Sequence, residues 1–133
     1  MSTRPTRVAD PPTPRSRRAL GDAGEEAAAA SLERHGFRIL ARNHACRRGE
    51  VDIVAEEGDC VCFVEVRTRN AGAVAPAETV TGPKQRRVVA AARDWLFRHP
   101  TERCIRFDVA AVRREPGGGL DVELIRNAFD AGE

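Results

Sequence analysis

The sequence predicts an α/β or α+β domain in which two helices pack on a modest sheet, in the order α-β-β-β-α-β-β. Three patterns carry that prediction. Val88, Ala91, Ala92, Trp95 and Leu96 fall at i, i+3, i+4, i+7 and i+8, the stripe of an amphipathic helix. Residues 50–55 and 60–67 are two apolar runs separated by Glu-Glu-Gly-Asp, a strong hairpin signal. Ile105, Phe107, Val109 and Ala111 alternate as a half-buried strand does.

The elements follow in order. Residues 1–15 hold Pro5, Pro11, Pro12 and Pro14 among small polar and basic side chains, and read as a disordered tail. A helix is expected over roughly 17–35, with Ala19, Ala23, Ala27, Ala30 and Leu32 on its apolar side and Gly36 as the stop. Gly21 and Gly24 either weaken it or admit a closely packed neighbour. Phe37, Ile39 and Leu40 start a short strand ending near Asn43, followed by a basic loop from His44 to Gly49. After the hairpin, residues 68–82 read as a long loop. Thr81 or Gly82 caps the second helix, Pro83 sits in its first turn, and His99-Pro100 ends it. Gly117 to Gly119 turn the chain into a last strand marked by Val122 and Leu124. Residues 16–130 thus form one domain.

The chain has 133 residues, and a domain of that size buries roughly two-thirds of its surface, enough for a core without a structural metal. Its 22 basic and 20 acidic residues leave a net charge of +2, so a uniformly basic coat for nucleic acid is excluded while a local groove is not. Five arginines against Asp10 give the first 18 residues +4, which leaves −2 for the rest of the +2 total. Lys84 is the only lysine. No run reaches the apolar length of a membrane span, and the start lacks the apolar stretch of a secretory signal, so a cytoplasmic protein is expected. The four cysteines read as buried free thiols in preference to two disulfides, and His44 with Cys46 makes only a loose start to a zinc site. There is no phosphate-binding G-x-x-x-x-G-K-[ST] loop, no H-E-x-x-H, and no serine or cysteine triad.

Asp52 and Glu65 stand out because each interrupts an apolar strand, where an unpaired carboxylate is costly to bury. Val61, Phe63, Glu65 and Arg67 share one strand face. If Gly58-Asp59 is a two-residue turn, Asp52 lies across from Glu65, and a one-residue slip would separate them. Two adjacent carboxylates need a shared proton or a cation, so with Arg67 they outline a site for a divalent metal and a phosphate. On pattern alone, the plainer reading is an acid–arginine cluster on a solvated sheet face. Asp108 reads as a solvent-face or structural acid, His35 and His99 as capping or surface groups, and His44 as a weak candidate for substrate contact. Trp95 belongs to the helix core or to a dimer face.

Several motifs together resemble the YraN family: Gly24-Glu25-x-x-Ala28, Phe37-x-Ile39-Leu40-x-x-Asn43, Gly49-Glu50-Val51-Asp52-Ile53-Val54 and Phe63-Val64-Glu65-Val66-Arg67-Thr68-Arg69. Val80-Thr81-x-x-Lys84-Gln85, Arg106-Phe107-Asp108-Val109 and Asn127-Ala128-Phe129 extend the match over residues 20 to 129. The resemblance implies a restriction-endonuclease-like core of the PD-(D/E)xK group, a mixed sheet flanked by helices, with kinship to archaeal Holliday-junction resolvases. It implies a metal-dependent endonuclease hydrolysing DNA phosphodiester bonds, with branched or single-stranded DNA as substrate forms. The alternative is a catalytically weak or inactive nucleic-acid-binding protein of the same fold. A third reading is a dimerisation or adaptor module.

Carried over residue by residue, Asp52 and Glu65 fill the two acidic positions of the signature, and Glu25 matches an acid of the first helix. Asp52, Glu65 and the Val66 carbonyl would hold Mg²⁺ or Mn²⁺, with Glu25 as a direct or water-mediated ligand. The signature lysine is replaced by Arg67, which can neutralise a phosphate but is a poor general base. Arg47, Arg48, Arg69, Lys84, Gln85, Arg86 and Arg87 are expected to contact the nucleic-acid backbone. Lys84 is thus read as part of this patch rather than as a substitute for the missing amine. The expected partner is DNA, with no membrane, and a homodimer is left open.

Overall fold

The computed structural model describes residues 17–70 and 80–131, so the N-terminal tail and the central part of the loop after the hairpin lie outside the described residues. The elements are α1 (Arg17–Arg34), β1 (Arg38–Cys46), β2 (Gly49–Glu57), β3 (Cys60–Asn70), α2 (Gly82–Arg98), β4 (Cys104–Arg114) and β5 (Leu120–Phe129). This is the α+β order expected from the sequence. The five strands form one mixed sheet in the order β1-β2-β3-β4-β5. All neighbours are antiparallel except β3 and β4, which α2 joins by a parallel crossover. No helix among the described residues is long and apolar enough to cross a membrane.

The near-continuous apolar runs of β2, β3 and β4 arise because the middle of the sheet is covered on both sides. Ala28, Ala29 and Leu32 of α1 pack on Ile53, Ala55, Cys62, Val64, Ala110 and Val112. Val88, Val89, Ala91 and Ala92 of α2 pack on the opposite face against Val54, Val61, Phe63 and Phe107. Strand alternation accordingly sends Glu65 and Arg67 to the α2 side, with Val61 and Phe63.

Four local expectations are corrected. The buried side of α1 carries Gly24, Ala28 and Leu32, whereas Ala30 is exposed and Ala23 and Ala27 are half-buried. A run of four alanines has no apolar contrast around the helix. The informative residue is Gly24, where a Cβ would overlap the Thr68 hydroxyl of β3. Strand β1 continues to Cys46 instead of stopping near Asn43, because Asn43 adopts a left-handed conformation (φ 55°) and the ladder resumes at His44 opposite Val51. Strand β3 likewise runs past Arg67 to Asn70, since it stays paired with β4 throughout. Cys60 and Cys104, expected as free thiols, are joined in a disulfide, while Cys46 and Cys62 are free. The parallel register sets Cys60 directly opposite Cys104, a pairing that depends on which strands are neighbours.

At the far end of the sheet, Asp108 is buried but well supplied with donors. Arg106 Nε and Nη2 reach it at 2.9 Å, and the Asn127 N–H donates to its Oδ1 at 2.9 Å. The last bond spans the register irregularity between β4 and β5, where Asn127 is left-handed (φ 55°). Asp108 is therefore structural.

Helix α2 is capped by Thr81, whose hydroxyl accepts the Lys84 N–H at 3.4 Å. It packs directly on the backbone of the sheet at Gly49, where a Cβ would overlap the Arg87 carbonyl. Two backbones meet there, so neither can move aside cheaply. Gly49→Ala should lose about 1–3 kcal/mol of stability or shift α2 off the sheet. Denaturant unfolding checks this, and an unchanged midpoint would show that the approach is looser than described.

Candidate active site

The hairpin follows the register inferred from its turn. Gly58 has a positive φ of 57°, and Glu57↔Cys60 through Ile53↔Val64 pair as a two-residue turn requires. Beyond Ile53 the backbone ladder ends. There the Asp52 side chain takes over from its backbone: the Val66 N–H donates to Asp52 Oδ2 at 2.8 Å. This bond brings the Asp52 carboxyl alongside Glu65, and the two carboxyl groups are hydrogen-bonded to each other, which needs a shared proton.

Glu65 is buried, with only 4% of its side chain exposed, so the solvated charge cluster is not what forms. Lys84 Nζ, from the first turn of α2, lies 3.0 Å from Glu65 Oε2. The only lysine thus meets the acidic pair with its ammonium, while 43% of its side chain stays exposed. Thr81 and Gln85 explain why. The Thr81 cap sets the first turn of α2, and Gln85 Nε2 donates to the Val80 carbonyl at 2.9 Å, fixing the entering chain. Gln85, expected at a nucleic-acid contact, is thereby engaged within the protein.

Burial raises the carboxyl of Asp52, against the pull of the Val66 N–H and Lys84. Burial and the charge of Asp52 push Glu65 up to about 7, despite Lys84. Arg67 is half-buried two residues along the same face, and no ion pair engages it among the described residues. A proton-sharing carboxyl pair, an ammonium and an uncommitted guanidinium therefore line one side of the sheet.

Glu25 lies near this group but is separately held. Arg42 Nε reaches Glu25 Oε2 at 3.3 Å, and the Asn43 side chain also hydrogen-bonds it. Burial raises its pKa, with Asp52 adding to the effect and Arg42 opposing it. Among the described residues, no three His, Cys, Asp or Glu side chains converge as a metal-ligand set. His44 Nε2 pairs with Asp94 Oδ2 at 2.8 Å, edge-on to Trp95, and so has a structural role. His35 and His99 bond the Ser31 and Trp95 carbonyls as helix-end groups. Arg47 is exposed at the β1–β2 turn, Arg48, Arg86 and Arg87 line a depression beside α2, and Arg69 is half-buried and engaged. The roles of Arg42 and Asn43 were not read from the sequence, although Asn43 closes one of the quoted motifs.

A mixed sheet covered on both faces, bearing a buried acid pair where a strand leaves its ladder, defines an α+β protein with two acids and a lysine gathered in its interior. Residues 24–112 match the uncharacterised protein family UPF0102, and the chain belongs to that family, the YraN family its motifs pointed to. A UPF0102 protein of Anaeromyxobacter sp. (strain Fw109-5) is 56% identical over 116 residues, covering 86% of each chain. One from Myxococcus xanthus (strain DK1622) is 50% identical over 121 residues, covering 90% of this chain and 95% of that one. One from Chlorobium phaeobacteroides (strain DSM 266 / SMG 266 / 2430) is 43% identical over 119 residues, covering 84% and 94%.

The raised pKa of Glu65 has a consequence for stability. The folded chain holds that proton more tightly than the unfolded chain does. The metal-free protein should therefore lose stability as pH rises from about 4.5 through about 7. Glu65→Gln carries no charge to bury, so it should exceed the wild type by on the order of 1–3 kcal/mol at about pH 8 and match it at about pH 5. Thermal melts at both pH values check this. A variant weaker than the wild type at both would mean that the Lys84 ion pair outweighs the burial cost.

Proposed function

We propose that the protein is a metal-dependent nuclease that hydrolyses DNA phosphodiester bonds at the Asp52–Glu65 pair. The observation that carries this reading is the buried, mutually hydrogen-bonded carboxyl pair with Lys84 Nζ 3.0 Å from Glu65. Asp52 has a structural use in accepting the Val66 N–H, but setting a second buried acid beside it costs stability, so the juxtaposition argues for chemistry. The donor set suits Mg²⁺ or Mn²⁺: hard carboxylate oxygens, both raised by burial and so favoured by a neighbouring cation. Asp52 and Glu65 would hold the ion, with the Val66 carbonyl and Glu25 as the further oxygen ligands implied by the family resemblance. Such an ion, when bound, polarises the scissile phosphate and makes water a stronger nucleophile.

The remaining work falls to the chain's own side chains. Arg67 donates to a non-bridging phosphate oxygen and offsets the charge that grows as water attacks phosphorus and the ester P–O bond breaks. Lys84 supplies the amine that the signature position lacks. From α2 it steadies Glu65 and donates to the attacking water, holding a lone pair of that water towards phosphorus. The absence of lysine at position 67 is then a relocation of function from strand to helix. The Gly49 contact fixes α2 at the height this requires.

Initial rates with Mg²⁺ and Mn²⁺ on linear, flap and four-way DNA test the reading. Asp52→Ala and Glu65→Ala should abolish cleavage, and Lys84→Met should lower it about 100- to 10,000-fold. Arg67→Ala should cost about 10- to 1,000-fold, while Arg67→Lys retains or raises the rate. DNA binding without metal should survive in the acid variants, because they remove negative charge. Cleavage undiminished in Glu65→Ala would place the activity elsewhere. A wild type inert with both metals would leave the binding-only reading, which Arg67 at the signature position favours.

A further inference from the structure

The described arginines include two contrasting groups. Arg38, Arg42, Arg98, Arg103, Arg106 and Arg126 are each tied to a carboxylate. Arg48, Arg86, Arg87 and Arg93 have no ion pair among the described residues, yet they line a single depression of about 750 Å³ beside α2. Asp130 is the one carboxylate in that lining. Four guanidiniums brought together against one acid repel each other unless an anion joins them. Gly82 and Ala90 in the same lining leave room for a backbone to come close.

A second observation extends this groove. Phe97 is 84% exposed, the most exposed large apolar side chain among the described residues. It contributes nothing to the core that α2 helps build. On α2, Arg86, Ala90, Arg93 and Phe97 follow one another at helical spacing and fall on one stripe. At 1.5 Å per residue, Arg86 to Phe97 spans about 16 Å along the helix.

We infer that this stripe is a binding track for single-stranded nucleic acid, with phosphates on Arg48, Arg86, Arg87 and Arg93 and an unpaired base stacked on Phe97. A positive groove ending on an exposed aromatic ring is the composition of single-strand sites, where stacking is tolerant of sequence. A duplex would use the arginines but offer the ring no base face. A folded acidic protein or an anionic membrane would not need arginines and an exposed ring aligned on one stripe of a helix. The inference goes beyond the nuclease reading, because the stripe lies on the outward side of α2 while Lys84 turns to Glu65 on the inward side, so the track binds a strand apart from the acid pair.

Fluorescence anisotropy in EDTA separates the two proposals, because it registers binding whether or not the protein cleaves. The probes are a short thymidine oligonucleotide and a duplex of the same length. Phe97→Ala should weaken the single strand about 5- to 100-fold, the loss of one base stack, and leave the duplex unchanged. Phe97 is exposed, so the variant should fold. Arg86→Gln combined with Arg93→Gln should reduce the slope of log affinity against log salt by about 1.4, about 0.7 for each lost phosphate contact. Arg38→Gln, on an arginine paired with Glu56, should leave that slope unchanged. The inference fails if Phe97→Ala weakens both probes equally or neither, or if the paired and unpaired arginine variants behave alike. Preferential binding of the wild type to anionic phosphatidylglycerol vesicles over the oligonucleotide would also overturn it.

Discussion

Strand β3 is buried on both faces from Val61 to Val64 and then must carry Glu65, and the arrangement around it follows from that conflict. Up to Val64 its backbone is matched by β2 on one side and β4 on the other. At the next residues β2 turns away, and an unpaired Val66 N–H in the interior would cost more than an ordinary hydrogen bond contributes. The Asp52 carboxylate accepts that N–H, so the same bond that closes the sheet delivers the second acid to Glu65. Fold and candidate site share one interaction. Acids in an interior are tolerable only when partnered, and here the partners are a shared proton, a backbone amide and Lys84.

Helix α2 supplies that last partner, and its two sides do different things. Inward it presents Val88, Val89, Ala91 and Ala92 to the sheet, and its first turn sends Lys84 to Glu65. Outward it carries Arg86, Arg93 and Phe97, which the fold leaves without a packing role. Helix position matters to both sides, which explains a glycine at position 49, where the Arg87 carbonyl leaves no room for a side chain. Two of the motifs are structural in origin. Arg106-Phe107-Asp108 and Asn127-Ala128-Phe129 meet where Asp108 binds Arg106 and the Asn127 N–H, holding β5 to β4 across an irregular register. Their partner Glu57, bound by Arg106 and Arg126, is held down to about 2 by those guanidiniums.

Much of this was legible in the amino-acid order, because local physics sets it. Alternation assigned the faces of β3, the Gly58-Asp59 turn set the register of the hairpin, and a 3.6-residue period located α2. The acids at 52 and 65 were visible as misfits in apolar strands, and parity brought them to one face. The reading lost contrast where the sequence itself is uniform, as in the alanine run of α1, whose buried side is marked only by Gly24 against Thr68. It also lost contrast at Asn43, where one left-handed residue lets a strand bend and continue instead of stopping.

What the sequence alone determined was the order of elements, the hairpin register and the acid pair, all consequences of contacts between near neighbours in the chain. What only the tertiary structure decided was which distant segments meet. The parallel β3–β4 register sets Cys60 against Cys104, residues 44 apart, although neither has a local signal for the other. Lys84 reads locally as one more cation beside Arg86 and Arg87. Only the placement of α2 over β2 and β3, fixed by a threonine cap, a glycine contact and an apolar stripe, turns it inward to Glu65. Long-range pairings depend on the whole packing arrangement, and no window of sequence contains it.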